Sequence, residues 1–469
     1  MCASTNNHID LVTLASYPKA ILHVDCDAFF TSCEEAQNPR LRGKPLVTGQ
    51  ERGIVSCASY EAKKRGVKRP MRLGEARKAC PGLIVLPSDY ELYSIYSERM
   101  FSIIRRFSPQ VEEYSIDEAF CDVTGLRRIY RGSYENIALT IKETIQKELG
   151  ITVSVGLSLS KILAKICSKQ NKPNGFCAVP GYKLHEFLND IPLERVCGFG
   201  PSSVALLTKY GISSVLAYIR KDEHFAKKLL GKIGLELWQE LRGIPVYAVS
   251  SQRKDTYLTI SKSKTFMPAS RDRDFVKAQL VRNLESAFIK LRRYSLSVKR
   301  LTVFLRRNDF TVRGLEVAIN RHSSSTLDFT GICGQLFEQL FERKVLYRTT
   351  GVVLSDLVRE GIDDRTLFDD PIKLERTRKI SQVADTINKM YGKHTIHVAA
   401  SLPPVPLDNY IKVRGVPHFK KMLKETGHAV SQKGKHPRNC GSWRKQELLP
   451  GETFRKRLGI PLLTLKKCI

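Results

Sequence analysis

Apolar residues in the first 180 positions alternate between strand-like runs and helix-like spacing. Ala20 to Val24 is a near-continuous apolar stretch with β-branched character and reads as a buried strand that stops at Asp25-Cys26-Asp27. Residues 28–36 (AFFTSCEEA) then start a helix, and residues 44–82 read as strand, helix and short strand-like pieces punctuated by Gly and Pro. Residues 91–107 carry apolar positions at helical spacing. Residues 111–124 (VEEYSIDEAFCDVT) read as a hairpin with an acidic pair near its bend. A helix over 135–148, a strand at ITVSVGLSL, a helix from Lys161 to Ser168 and a turn at Lys172-Pro173-Asn174-Gly175 complete a β-α-β-like body. Its two acidic sites lie on separate strands.

A second unit starts near residue 190, with a glycine turn between two short helices in RVCGFGPSSVALLTKYGI. A basic linker near 246–256 leads to a third, reading strand, helix (274–293), strand (301–306), strand (314–319), helix (326–343), strand (350–357). Past 360 only a helix at 373–390 is evident.

Charge narrows the picture. Lys and Arg outnumber Asp and Glu by 77 to 47, a net +30, and residues 411–469 alone hold fifteen Lys and Arg against three Glu. Such an excess implies a polyanionic partner, nucleic acid or an anionic membrane. No run of about 18 apolar residues occurs and the N-terminus lacks a signal pattern, so a cytosolic chain with no membrane partner is expected. The twelve cysteines form no CxxC pair and no cluster with zinc-ligand spacing. Several, among them Cys26, Cys57, Cys121 and Cys167, sit in apolar runs as reduced core residues.

Asp25, ending an apolar strand, and Asp117-Glu118, inside a β-rich hairpin, are the candidate chemistry. Carboxylates on central strands are costly to desolvate unless a cation or hydrogen bonds compensate. Phosphoryl transfer supplies such a reason, because two hard divalent ions about 4 Å apart activate a hydroxyl and stabilise a leaving pyrophosphate. Alone, an acidic pair on a hairpin is more often a solvated turn.

The surrounding residues change that. ILHVDCDAFFTSCE, followed by YSIDEAFCDVTG, resembles the Y-family DNA polymerases, closest to the bacterial polymerase IV (DinB/UmuC) type. SCASYEAKKRGV, VSVGLSLSKILAKICSKQNKPNG and ERVCGFGPSSVALLTKYGI follow that family in order and spacing, over residues 20–360. The resemblance implies an α+β right-hand polymerase. Its expected parts are a ferredoxin-like palm (1–27 and 92–180), small fingers (28–91), a helix-hairpin-helix thumb (181–250) and a β-α-β-β-α-β little finger (256–360), with 361–469 as an extension. It implies low-fidelity translesion synthesis in damage tolerance, with two Mg²⁺ ions (Mn²⁺ as a substitute). Asp25, Asp117, Glu118 and the main-chain carbonyl of Cys26 would be ligands, and Asp27 would not. Phe30 would be the steric gate against ribonucleotides. The triphosphate would meet Tyr60, Lys63, Lys172 and the amides of 28–30, Phe29 included. Lys63 replaces a usual arginine, losing the bidentate fork, and Cys57 a common threonine hydroxyl. Lys161 and Lys165 serve equally well as solvated helix lysines.

DNA phosphates would be held by the Gly198 and Gly200 turn and by basic residues around the little-finger strands, Lys262, Lys264, Arg300, Arg306 and Arg307, without base readout. Residues 365–369 (RTLFD) are similar to a degenerate sliding-clamp peptide with Leu367 and Phe368 as anchors, although Asp364 replaces its usual glutamine. The expected partners are thus primer-template DNA, deoxynucleoside triphosphates and a sliding clamp, met by a monomer. Two competing readings are a diguanylate-type nucleotide cyclase, which also has a ferredoxin-like palm, and a non-catalytic DNA-binding scaffold, which is expected to lose the carboxylates.

Overall fold

The computed structural model describes residues 16–252, 257–360, 370–391 and 394–402. The chain forms two compact units, residues 1–253 and 254–469. The possible clamp anchors Leu367 and Phe368, and the basic tail, lie outside the described residues.

The first unit contains β1 (Ile21–Cys26), β2 (Leu46–Thr48), β3 (Cys57–Ala58), β4 (Ile84–Leu86), β5 (Val111–Glu113), β6 (Glu118–Asp122), β7 (Val153–Ser158) and β8 (Phe176–Ala178). Five of them make one sheet in the order β5-β6-β1-β7-β8, and β3-β2-β4 make a small second one. The central strand β1 is buried along its whole length, which is why its sequence reads as an unbroken apolar run. Leu22 and Val24 pack against Met100, Ile103 and Ile104 of helix Tyr90–Arg105 and Ile137, Ile141 and Ile145 of helix Tyr134–Leu149. Ile21, His23 and Asp25 alternate onto the opposite face, under helix Lys161–Ser168. That helix sits directly on the sheet because Gly156 of β7 has no side chain. A Cβ there would lie 2.1 Å from the Ala164 carbonyl oxygen and 2.3 Å from the Ser168 nitrogen.

The small sheet has its own core of Val47, Val55, Ala62, Leu73 and Ala76. Residues 184–241 form a helical cluster around Leu207, Ile212, Tyr218, Leu237 and Trp238. Here the sequence reading needs one correction. The glycine turn at Gly198 follows a single 3-10 turn (Leu193–Arg195), not a second α-helix, and leads into helix Pro201–Lys209. Pro192 stops the preceding helix from continuing.

The second unit has the expected order of elements, with strands longer than the apolar runs indicated: β9 (Thr259–Ser270), helix Arg273–Arg293, β10 (Leu296–Arg307), β11 (Val312–Ser323), helix Thr326–Leu340 and β12 (Tyr347–Arg359). The sheet order is β11-β10-β12-β9, antiparallel throughout. Leu301, Val303, Leu305, Val352 and Leu354 face the two helices and form the core. Helix Pro371–Tyr391 is fastened to the unit by Arg292, whose guanidinium meets both oxygens of Asp385 at 2.6 and 2.8 Å.

Candidate active site

Antiparallel pairing of β1 with β6 sets Asp25 directly opposite Glu118, and the Cys26 amide donates to the Asp117 carbonyl at 2.9 Å. The hairpin and the central strand thus bring the three predicted carboxylates to one end of the sheet. Ser115 donates to Asp117 Oδ1 at 2.6 Å and fixes that side chain in the turn.

Each of the two inner carboxylates meets an ammonium group. Lys172 Nζ lies 2.6 Å from Asp25 Oδ1 and 3.4 Å from the Cys26 carbonyl oxygen. Lys165 Nζ lies 2.6 Å from Glu118 Oε2. Burial pushes Asp25 up to about 6, against the pull of Lys172 and with the push of Glu118 and Asp117. Burial acts on Glu118 in the same sense, but the Lys165 ammonium in direct contact outweighs it and holds that group down at about 2. His23 is itself completely buried, which lowers it to about 4. Its Nδ1 is 2.7 Å from the Ser168 hydroxyl, and its Nε2 faces Glu118 at 3.9 Å, beyond hydrogen-bond reach.

Asp27 shares Lys172 with Asp25, its Oδ1 lying 3.4 Å from the ammonium, and is otherwise tied to the neighbouring turn. Its Oδ1 accepts the Ser154 hydroxyl at 2.8 Å and its Oδ2 the Asn174 amide at 2.7 Å, so this carboxylate ties down the turn that delivers Lys172 to Asp25. Among the described residues no three carboxylate, imidazole or thiolate groups already converge around a common point as a finished metal site. The donor set nonetheless suits a hard cation. The oxygens of Asp25 and Cys26 already share one positive charge, that of Lys172, and Asp25 is a buried acid whose charged form wants more compensation.

Phe30 sits at the start of helix Phe29–Gln37, stacked on Tyr93 with centroids 4.4 Å apart and planes at 11°, and edge-on to Tyr90. Its ring is held in place while staying partly accessible. The Phe29 side chain is 3% exposed and belongs to the core, so only its main chain is available to a ligand. No side chain caps this helix, whose first amides have no intrahelical acceptor. Tyr60 opens the helix Tyr60–Lys64, with the Lys63 ammonium 4.1 Å over its ring. Burial and the nearby Asp27 push the Tyr60 hydroxyl up to about 12. Cys57 lies 3.9 Å from the Thr31 hydroxyl.

Lys161 and Lys165 are not solvated. Lys161 meets both oxygens of Glu112 at 2.7 Å, and Lys165 is 7% exposed. The local pattern gave no signal: Lys161, Lys165 and Ser168 fall at i, i+4 and i+7, the stripe of an ordinary wet face, and only the packing of this helix on the sheet buries it. His23 was missed because a histidine in an apolar run reads as core.

Among the predicted DNA-contact residues, Gly198 has φ 113° and lies against Leu237, 2.9 Å from where a Cβ would stand, so the turn requires glycine. Gly200 has no such restriction and precedes Pro201 at the helix start. In the second unit, Arg300 and Arg306 project from the sheet face opposite the helices, alternating with the buried Leu301, Val303 and Leu305. Lys262 and Lys264 occupy the other side of edge strand β9, in step with Ile260, and burial followed by the charges of Lys290 and Arg293 lowers Lys262. Arg307 is paired with Glu342 at 2.6 Å.

Comparison with known proteins extends across both units. The impB/mucB/samB family profile matches residues 24–169, and the profile of that family's C-terminal domain matches 258–367. DNA polymerase IV of Treponema denticola is 33% identical over 390 residues, covering 82% of this chain and 97% of the relative. DNA polymerase IV of Desulfatibacillum aliphaticivorans is 32% identical, covering 83% of this chain and 98% of the relative. A solved Y-family DNA polymerase chimera of Dbh with a Dpo4 segment superimposes with a TM-score of 0.62 at 26% identity, covering 73% of this chain and all of that one.

These matches define the class: a DNA-directed DNA polymerase with the α+β right-hand fold. The chain belongs to the Y family of translesion DNA polymerases, alongside the DNA polymerase IV proteins. A nucleotide cyclase would account for the first sheet but not for the second matched unit. No described helix is long and apolar enough to cross a membrane.

Proposed function

We propose that Asp25, Asp117, Glu118 and the Cys26 carbonyl form the reaction centre for adding deoxynucleoside triphosphates to a primer 3′-end. They would hold two divalent ions, Mg²⁺ with Mn²⁺ as a substitute, which supply the charge that activates the 3′-hydroxyl and stabilises the leaving pyrophosphate. Support comes chiefly from one observation: Asp25, buried, and Glu118, half-buried, face each other on paired strands, each on its own lysine.

The protein's own groups have distinct tasks. Lys172, Tyr60 and Lys63 gather beside Asp25 and Asp27 and suit a triphosphate, with the free amides at the start of helix Phe29–Gln37 as further donors. Lys172 would exchange Asp25 for a phosphate oxygen as the nucleotide arrives, freeing the carboxylate. Lys165 keeps Glu118 ionised and oriented. Phe30, braced by Tyr93, would fill the space of a ribose 2′-hydroxyl. Asp27 organises the 172–174 turn and is left out of the ligand set.

In this reading the five-stranded sheet is the palm (1–27 and 92–180), residues 28–91 the fingers, 181–250 the thumb and 256–360 the little finger. The Gly198–Gly200 turn and Arg306, with Lys262 and Lys264 at the sheet edge, contact primer-template phosphates. Leu367 and Phe368 anchor a sliding clamp, and the chain works as a cytoplasmic monomer that copies damaged templates with low fidelity. The test is extension of a primer past a defined template lesion. Wild type should cross it with added Mg²⁺ and Glu118→Ala should not; equal bypass by both would overturn the assignment.

A further inference from the structure

Glu240 lies outside the reaction centre, on helix Glu223–Leu241, and its residue is 0% exposed. Both of its carboxylate oxygens are met by main-chain donors. Oε2 accepts the Ile162 amide at 3.2 Å, and Oε1 accepts those of Val246 and Tyr247 at 2.7 and 2.8 Å. The Glu240 carbonyl accepts the Ser160 hydroxyl at 2.8 Å, and Ser160 Oγ accepts the Leu163 amide at 3.3 Å. A carboxylate is costly to bury, and its retention here follows from that full set of donors.

Ile162 and Leu163 are in the first turn of helix Lys161–Ser168, where amides lack intrahelical acceptors and a negative charge is favoured by the helix dipole. On the same helix, Lys161 at its first position meets Glu112, and one turn on Lys165 meets Glu118. The contacts close into a ring, because Glu112 Oε2 also accepts the Ser250 amide at 2.9 Å, three residues beyond the Tyr247 held by Glu240. Helix 161–168 is therefore set by two devices, the missing side chain at Gly156 beneath it and the carboxylate at its N-terminus.

We infer that Glu240 is a positioning residue for polymerisation, holding the first turn of helix 161–168 so that Lys165 reaches Glu118. The inference rests on the reading of Glu118 as a reaction-centre carboxylate. The carboxylate is needed because an amide cannot replace it. In either orientation, glutamine sets an NH₂ against amides that are already donors.

A double-mutant cycle on kcat for correct-nucleotide insertion tests this, using Glu240→Gln and Lys165→Met. Glu240→Gln alone should lower kcat about tenfold while primer-template Kd moves by less than about twofold. In the Lys165→Met background it should cost less than about twofold more, because both changes act through one contact. Full multiplication of the two effects, or an unchanged kcat in Glu240→Gln, would overturn the inference. Should Glu240→Gln fail to fold, Ser160→Ala removes a milder part of the same latch. Its kcat loss should likewise vanish in the Lys165→Met background, and full multiplication there is contradictory. Glu118→Ala, run alongside, separates the two claims. If it keeps the wild-type rate, the reaction-centre reading fails; if it is inactive while Glu240→Gln is normal, only the role of Glu240 fails.

Discussion

In the sheet of the first unit the charges are inside. Asp25 is 6% exposed and Lys165 7%, with the uncharged ring of His23 fully buried beside them, and all lie on or against two central strands. In the sheet of the second unit the same kinds of residue stand on the wet face. The Arg300 side chain is 51% exposed, with its partner Glu316 at 47%, and β10 turns Leu301, Val303 and Leu305 inward between its outward charges; the buried Arg282 and Glu285 of this unit stand on helix Arg273–Arg293, not on the strands. Buried pairs are expensive to form and severely disrupted by removing one member, whereas exposed pairs contribute little and are screened by salt. The first sheet therefore holds charge in one fixed arrangement suited to chemistry. The second presents it loosely, which suits a backbone read without sequence preference.

Four substitutions bear on that contrast. Glu118→Ala strips the partner from Lys165, and kcat should fall by about 10³-fold or more, with single-turnover insertion as the readout. A loss of only a few-fold would place the buried pair outside the chemistry. Phe30→Ala keeps every charge and removes the braced ring, so discrimination against ribonucleotides should drop by about a hundredfold in kcat/KM. If rejection stays at the wild-type level, the gate is another residue. Arg306→Ala, on the wet face, should weaken primer-template binding only several-fold and equally for all sequences, lowering the slope of log K against log salt by about 1. An effect on kcat instead would break the contrast between the sheets.

The smallest effect concerns Glu35, which burial and then Glu61 raise from 4.5 to about 7. Its folded-state pKa is above the unfolded one, so the native form holds the proton more tightly. That contribution to stability is fully present below about 4.5 and lost as pH rises through about 7. Across that window, chemical denaturation of Glu35→Gln should show a flatter stability profile than wild type; parallel profiles would show that the group is solvated.

Much of the fold was legible because local patterns and tertiary roles agreed. The unbroken run before Asp25 marked a central strand, and the helix over 91–107 appeared as Tyr90–Arg105. The candidate carboxylates stood out for the same reason, as acids interrupting apolar strands. What sequence could not give was pairing. That Lys165 meets Glu118 depends on the β1–β6 register and on the close approach allowed by Gly156, neither of which is a local property. The strands of the second unit read too short where the period of two is interrupted: β10 starts at Leu296, not at Leu301, because Leu296, Ser297 and Val298 are all buried and a bulge between Val298 and Arg300 shifts the register. Lys262 and Lys264 were recognisable as basic strand residues, but their side of the sheet follows only from register with β12.

The most direct test of the central claim is Mg²⁺-dependent extension of a primed template with all four deoxynucleotides, wild type beside Asp117→Ala, with primer-template affinity measured on both. The account predicts extension by wild type, none by the variant, and nearly equal binding. Extension by Asp117→Ala at the wild-type rate would contradict it and remove the carboxylate cluster from the reaction.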